Sequence, residues 1–493
     1  MFIREGSNAA VSRIISEFDA VCGENLDRTA FVFIRDGKII SKTYRELAED
    51  MQLKIKYLLG CGVKYGDKIL AFANESYDLC VFMLAAMRIG ASIMYVDIWA
   101  KQDRLRNAFA QYMPDYVVVS QKTAKFKMFF REIHKIKNVL YVERADKTGE
   151  IPADLRQAAD DTAALLTMTT GSTGKPKIAI RTHRHLYEQL RLVSMNIDHS
   201  LEHEYVLTTS YMYVFANILS GFTTVLTQVK LSKDSPKTLE KKLRFFENVP
   251  VSMIITSPDF CLKTRNIFPN LKKVYFGGAI LTLNEAKSIA ANYSGADIEY
   301  IYGATECNLI SKIRLSTYID RLSNERISVL GKVVDGVSIK IGEHNQIMVT
   351  SDALLENYLN ADDCGNKSID GDNVIWHTTG DAGEYKNDML YYFGRNDMYI
   401  MLDGRGQTVY SSQAEQDLIV NFDFINKCAV ICKAEKLYLF VEVKSHKKTS
   451  LQSVREYLCE KYGIEHIKIV KMRKIPCDVK HHTKINYTKL KKK

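Results

Sequence analysis

Proline and tryptophan are scarce, with eight and two copies among 493 residues. Glycine reaches only 26, and the chain has no internal repeat and no low-complexity stretch. Collagen, repeat arrays and proline-rich linkers are thereby excluded. No apolar run is long: the one through Cys80 to Met87 stops at Arg88, whereas a membrane span needs about 20 apolar residues. The opening "MFIREGSNAAVSRIISEF" carries Arg4, Glu5, Arg13 and Glu17 and has no secretory apolar core. A cytoplasmic protein without a membrane span is the expectation. No Cys-x-x-Cys pair occurs among the ten cysteines, and most lie in apolar runs such as "CVFMLAAM" and "CAVIC". Buried thiols in a reducing compartment are expected, not a metal site or a disulfide framework.

What is present is ordinary for a globular chain: 46% hydrophobic and 26% charged residues. The length predicts two to four domains at roughly 100–200 residues each. Charge is uneven. Residues 395–493 hold 20 Lys and Arg against 11 Asp and Glu, and the first 394 hold 48 against 47. A basic C-terminal module points to an anionic partner. No zinc finger, RNP-type sequence or Arg/aromatic pattern accompanies that charge, so no nucleic-acid partner is expected.

Apolar runs and amphipathic stretches alternate. "TYRELAEDMQLKIKYLLGCGV" predicts a helix with Leu47, Met51, Leu53, Ile55 and Leu58 inward. "YGDKILAFA" predicts a turn and strand, "SYDLCVFMLAAMRIG" a buried helix ended by Gly90, and "ASIMYVDI" another strand. Strands recur at "YVLTTS", "VSMIITS", "LKKVYFGG" and "DIEYIYG". This order predicts a largely parallel α/β sheet. Residues 315–395 read as short strands and turns, a β-rich unit. After Arg395, "KCAVICKAEKLYLFVEVKS" reads as two strands, and "SLQSVREYLCEKYG" as a helix capped by Ser450 and Gly463. The expectation is an α/β large domain, 1–394, with parallel-rich sheets, helices and the β-rich unit. A small α+β domain, 395–493, follows it.

The most informative segment is "TMTTGSTGKPK". An apolar run leads into Thr169, Thr170, Gly171, Ser172, Thr173, Gly174, Lys175, Pro176 and Lys177. Small hydroxyl residues and glycines let backbone N–H groups, hydroxyls and ammonium groups converge on a phosphate. It is not a Walker A loop, because Pro176 stands where Ser or Thr must follow the lysine.

This segment resembles the signature loop of the adenylate-forming superfamily. That superfamily includes acyl-CoA synthetases, amino-acid-activating domains and luciferases. Three more segments resemble its motifs in its order: "YIYGATE" (adenine), "TTGDAGEY" (ribose) and "FGRNDMYI" (hinge). The resemblance implies ATP and Mg²⁺ as cofactors and a small-molecule carboxylic acid as substrate. CoA or an acyl carrier protein would be the acceptor. It implies that Tyr302 and Gly303, with Gly278 and Ala279, face the adenine, and that Thr305 offers a hydroxyl to a phosphate. Glu306 would be both catalytic and the metal ligand. Asp381 would accept from the ribose, and Arg395 would bridge ribose and phosphate. Gly277, Tyr213, Phe215 and Asn217 would line the acid pocket, whose apolar 211–226 segment suits a fatty or related acid. The C-terminal domain would be mobile about Asp397. Lys484 is the best match to the family's C-terminal catalytic lysine, with Thr483 in place of the usual glycine.

The sequence also departs from the pattern. The hinge motif continues Ile400-Met401-Leu402-Asp403-Gly404-Arg405, and "TSYMYVFANILSGFTTVL" lacks the histidine many acyl-CoA synthetases carry. "GQTVYSSQAEQ", "CDVKHHTK" and "FANILSGFTTV" are similar to the β-lactone synthetase branch. That branch closes a β-hydroxy fatty acid onto its own hydroxyl. A non-catalytic nucleotide-binding protein on the same fold is the third alternative.

Overall fold

The computed structural model describes residues 11–96, 102–121, 136, 138–146, 149–170, 176–198, 202–231, 233–360, 367–401, 408–433, 436–444, 450–477 and 484–492. Two large sheets carry most of the strands. A seven-stranded sheet is parallel from Ala163–Thr170 through Ser92–Tyr95, Lys68–Phe72 and Tyr116–Val119 to Asn138–Tyr141. A 14-stranded sheet is parallel across Asp297–Tyr302, Lys273–Gly277, Met253–Thr256, Tyr205–Thr208, Thr223–Leu226 and Thr29–Arg35. Apart from the edge strand Asn138–Tyr141, these short strands are largely buried on both faces, and hence read as continuous apolar runs, not as alternations. From Ser311 onward the same sheet continues antiparallel to Met389–Arg395.

Local signals fix the helix ends, and those at Gly90, Ser450 and Gly463 act as the sequence predicts. Thr43 accepts the Glu46 N–H, and Glu46 returns the bond to the Thr43 N–H, closing a capping box on helix Tyr44–Gly60. Helix Tyr77–Arg88 ends before Gly90, whose φ of 79° is left-handed. Ser450 caps Leu451–Tyr462, and Gly463 ends it at φ 66°.

Three expectations are corrected. Leu53 is exposed, and Lys54 is buried in its stead, its ammonium donating to the Val142 and Arg144 carbonyls at 2.7 and 2.6 Å. Burial pushes the Lys54 pKa down. Residues 315–395 do not begin with strands, because Leu315–Glu325 is a helix burying Leu315, Tyr318 and Leu322 at helical spacing. Cys432 and Cys459 are exposed, and Cys61 and Cys477 half-buried, so burial covers only five of the nine described cysteines.

Beyond Arg395 the chain builds a three-stranded sheet, Ile425–Lys433, Lys436–Val443 and Ile467–Met472, with its own apolar cluster. Helix Ser411–Asn421 joins this unit to the rest. Gln416 donates to the Leu281 carbonyl at 2.9 Å, and Arg326 pairs with Asp417 at 3.5 Å. Lys427 pairs with Glu285 at 2.9 Å, both largely buried. No helix among the described residues is long and apolar enough to cross a membrane.

Candidate active site

Ligands of open α/β sheets bind beyond the carboxyl ends of the parallel strands. Three such ends carry the motif residues: Ala163–Thr170, Lys273–Gly277 and Asp297–Tyr302. The first pairs antiparallel with Pro176–Thr182, with Thr170 opposite Pro176. Gly171, Ser172, Thr173, Gly174 and Lys175, which link these strands, lie outside the described residues, as do the side chains of Thr169 and Thr170.

Arg181 ties the phosphate-loop strand to the segment after Tyr302. Its guanidinium donates to Thr167 Oγ1 at 2.6 Å, Gln189 Oε1 at 2.8 Å and the Thr305 carbonyl at 3.1 Å. Three directions of donation use the planar fork that lysine lacks. Burial lowers its pKa to about 10, so it stays charged at neutral pH. Asn308 reaches the same Gln189 oxygen at 3.2 Å.

Glu306 stands at the next turn with its side chain 18% exposed. Tyr358 donates a short hydrogen bond to its Oε1, and His377 Nε2 lies 3.7 Å from Oε2. Burial lowers the His377 pKa, against the pull of Glu306. The Lys177 ammonium sits 5.5 Å above the centre of the Tyr358 ring. Lys177 and Glu306 therefore share one aromatic neighbour.

A second cluster surrounds Asp381. Tyr302 donates to Oδ2 at 2.7 Å, and Arg395 to Oδ1 at 2.8 Å. Tyr302 is buried, and burial pushes its phenol pKa well up. Burial disfavours the Arg395 charge, but Asp381, with Tyr392 and Asp397, more than offsets this and raises its pKa. Asp381 and Arg395 are direct partners across adjacent strands. Between them Gly380 has φ 77°, and a Cβ there would stand 2.6 Å from the Arg395 guanidinium. A Cβ on Gly303 would collide with the Asn308 carbonyl, so only glycine fits the turn between the clusters.

The structure thus brings Lys177, Tyr302, Gly303, Thr305, Glu306, Asp381 and Arg395 to one edge. Gly277 ends the neighbouring strand, Gly278 follows at φ 98°, and Ala279 accepts from the Tyr300 hydroxyl at 2.8 Å. Helix Tyr211–Leu219 divides its residues. Tyr213 is half-buried, its pKa pushed up to about 12 by burial. Phe215 instead lines a cavity with Phe18, Met51 and Met87, and Asn217 is buried and donates to Thr224 at 3.3 Å. The three do not share one face. Lys484 is exposed, and among the described residues it has no hydrogen bond or ion pair to the two clusters. Asp397 is an exposed turn residue.

Arg181, Tyr358 and His377 are site neighbours that sequence reasoning missed. A charged residue ending the apolar strand "PKIAIRT" was the available signal for Arg181. Tyr358 had none, because its approach comes from the pairing of Asn357–Tyr358 with Ala179 and Ile180.

The sequence pattern of the AMP-binding enzymes matches residues 18–352. The D-alanine–D-alanyl carrier protein ligase of Bacillus cytotoxicus is 23% identical over 424 residues, 80% of this chain and 80% of that protein. A plipastatin synthase component of Bacillus subtilis is 23% identical over 84% of this chain, which spans only 17% of that relative's length. Among solved structures, O-succinylbenzoate coenzyme A synthetase from Bacillus subtilis, in complex with AMP, superposes at TM-score 0.77. It is 18% identical, with 96% of this chain and 98% of that chain covered. A Mycobacterium tuberculosis fatty acyl CoA synthetase superposes at 0.71 with 17% identity and 97% of each chain covered. These likenesses establish the shared fold.

Proposed function

The chain belongs to the AMP-binding enzymes and is an AMP-dependent ligase, and from that premise we propose that it activates a hydrophobic carboxylic acid as its acyl-adenylate and passes the acyl group to a thiol, CoA or a carrier protein. In the first step a carboxylate oxygen attacks the α-phosphorus of ATP. The bond from that phosphorus to the bridging oxygen breaks, and pyrophosphate leaves. In the second step a thiolate attacks the acyl carbon, and AMP leaves with the anhydride oxygen.

The observation that carries the adenylation reading is the Tyr302–Asp381–Arg395 cluster beside Glu306. Asp381, held at one lone pair on each oxygen, keeps acceptor capacity for ribose hydroxyls. Arg395 is aligned by Asp381 to face a phosphate. Magnesium is commonly held by one or two carboxylates plus substrate phosphates. Glu306 fits that need: it is a hard oxygen donor, partly exposed, and fixed by Tyr358. When bound, the metal neutralises phosphate charge. Thr305 lies beside Glu306 with its carbonyl fixed by Arg181, and Lys177 adds an ammonium near the same edge.

Neighbours of this fold include an O-succinylbenzoate coenzyme A synthetase in complex with ATP and magnesium, which supports the same cofactors here. The apolar helix Tyr211–Leu219 supports a hydrophobic acid. The chain after Arg395 is proposed to turn about Asp397 between the two steps, bringing Lys484 to the reacting carboxylate and α-phosphate in the first. The deciding experiment measures pyrophosphate release across fatty, β-hydroxy and aryl acids, with and without CoA. Acid-dependent release with thioester formation supports the reading. Release without any acid dependence overturns it, and a lactone formed without CoA replaces the acceptor.

A further inference from the structure

Lysine carries a charge on a flexible four-carbon stem rich in rotamers. An ammonium that must meet a developing charge needs a rigid foot. Lys484 is exposed, and the residues that directly follow it are not free. Ile485 forms a β-bridge with Cys477. The Asn486 N–H donates to the Pro476 carbonyl at 2.8 Å, and the Asn486 side chain accepts the Lys489 N–H at 3.0 Å. Ile485 and Tyr487 pack on a buried cluster that includes Phe440, Ile475 and Leu490.

Beneath them lies Glu415, a buried carboxyl that the ligase chemistry leaves unused. Its Oε1 accepts the Val430 N–H at 2.8 Å, and its Oε2 accepts the Tyr487 hydroxyl at 2.8 Å. Glu415 sits on helix Ser411–Asn421, the element that also meets the turn before helix Leu283–Asn292 through Gln416. Met398, one residue past Asp397, packs on the same cluster as Ile485 and Tyr487. A continuous set of contacts thus runs from the turn at Asp397 to the foot of Lys484.

A polar pair in an apolar interior costs desolvation, and a hydrophobic pair of the same volume packs there without that cost. What the Glu415–Tyr487 bond supplies is direction: a carboxyl anchored by the Val430 N–H on one oxygen holds residue 487 with the other, three positions after Lys484. We propose that Glu415 and Tyr487 are positioning residues that fix the foot of Lys484 for acyl-adenylate formation. This rests on the reading of Lys484 as the lysine of the first step.

The experiment measures two rates in the full-length protein: acyl-adenylate synthesis, read as pyrophosphate release, and acyl transfer from preformed acyl-adenylate. Tyr487→Phe keeps the ring and removes only the hydroxyl. It is expected to slow synthesis roughly fivefold to tenfold, the scale of one neutral hydrogen bond. The KM values for ATP and acid should hold, and transfer should keep its rate. Lys484→Ala should abolish most synthesis, and adding Tyr487→Phe to it should cost nothing further. Equal slowing of both rates by Tyr487→Phe, or losses that multiply in the double variant, overturns the positioning role. Full-speed synthesis by Lys484→Ala overturns the underlying reading and the proposal with it. If Tyr487→Phe loses cooperative unfolding, Glu415→Gln, which keeps an acceptor for Val430, is read by the same two rates.

Discussion

A carboxylate meant for a metal must be held without being consumed. Glu306 is held by Tyr358 on one oxygen and stands near His377 on the other. Glu306→Gln keeps the shape and removes the charge. Activity should fall roughly 10²-fold or more, as when a transition-state donor is lost. Steady-state turnover at ordinary Mg²⁺ checks this, and a wild-type rate would remove Glu306 from the site. Glu415 makes a different kind of test. Burial pushes its pKa up to about 8, from an ordinary 4.5, against the pull of the Val430 and Tyr487 hydrogen bonds. The native state therefore binds this proton more tightly than the unfolded chain. The stability so gained is complete below pH 4.5 and is lost as pH rises toward 8. Across that window wild type should lose up to ~1.4 kcal/mol per pH unit relative to Glu415→Gln. Denaturant unfolding of both proteins at several pH values reads the difference. Parallel curves would show that Glu415 does not titrate there.

Among elements, the junction of strands Ala163–Thr170 and Pro176–Thr182 with the Thr305 turn depends on one side chain. Replacing Arg181 by Met leaves Thr167, Gln189 and the Thr305 carbonyl with a buried partner missing. At about 1–3 kcal/mol per unsatisfied group, with partial relaxation, the loss should be roughly 3 kcal/mol. Lysine, a single point of donation, should restore little of it. Chemical denaturation of the two variants gives the values, and full stability of Arg181→Lys would refute the fork argument. The parallel strands Ser92–Tyr95, Tyr205–Thr208 and Met253–Thr256 were legible, because buried parallel strands announce themselves as short apolar runs between turn residues. So were the caps at Ser450 and Gly463, which act within one turn of chain. Helix Leu315–Glu325 was missed although Leu315, Tyr318 and Leu322 carry its period, since the turn-rich stretch after it dominated the reading. Leu53 was read as inward, but the long stem of its neighbour Lys54 reaches carbonyls at Val142 and Arg144, 88 and 90 residues away, and no local pattern records that.

At the scale of the whole molecule, the motif residues were legible as a set because each lies in a compact segment: Tyr302 to Glu306, Thr378 to Tyr385, Phe393 to Ile400. Their mutual geometry was not. Tyr302 was expected to offer its ring face, and its hydroxyl proves to be bonded to Asp381, 79 residues on. Phe215 and Asn217 turn into the interior, which helical spacing alone could not assign to one side. The orientation of the chain after Arg395 is likewise a product of distant contacts. Lys427 pairs with Glu285, Gln416 bonds the Leu281 carbonyl, and Arg326 meets Asp417, all while Lys484 stays exposed. On the proposed rotation, these contacts stabilise the arrangement in which Lys484 is not at the reacting groups. Glu285 also closes the capping box of helix Leu283–Asn292 through its other oxygen, so the lysine is the cleaner partner to change. Lys427→Met keeps the stem and removes the ammonium, leaving a largely buried carboxylate without this ion pair. A charged hydrogen bond lost there is worth about 1.5–3 kcal/mol, enough to shift the balance of orientations roughly tenfold or more. Acyl transfer from preformed acyl-adenylate should slow by about that factor, and acyl-adenylate synthesis should hold or rise. Lys444→Met, which among the described residues loses a 3.4 Å contact to Asn284, should change either rate by less than about twofold. If Lys427→Met instead slows synthesis and spares transfer, the orientation seen here serves the first step, and the assignment of the two orientations is reversed.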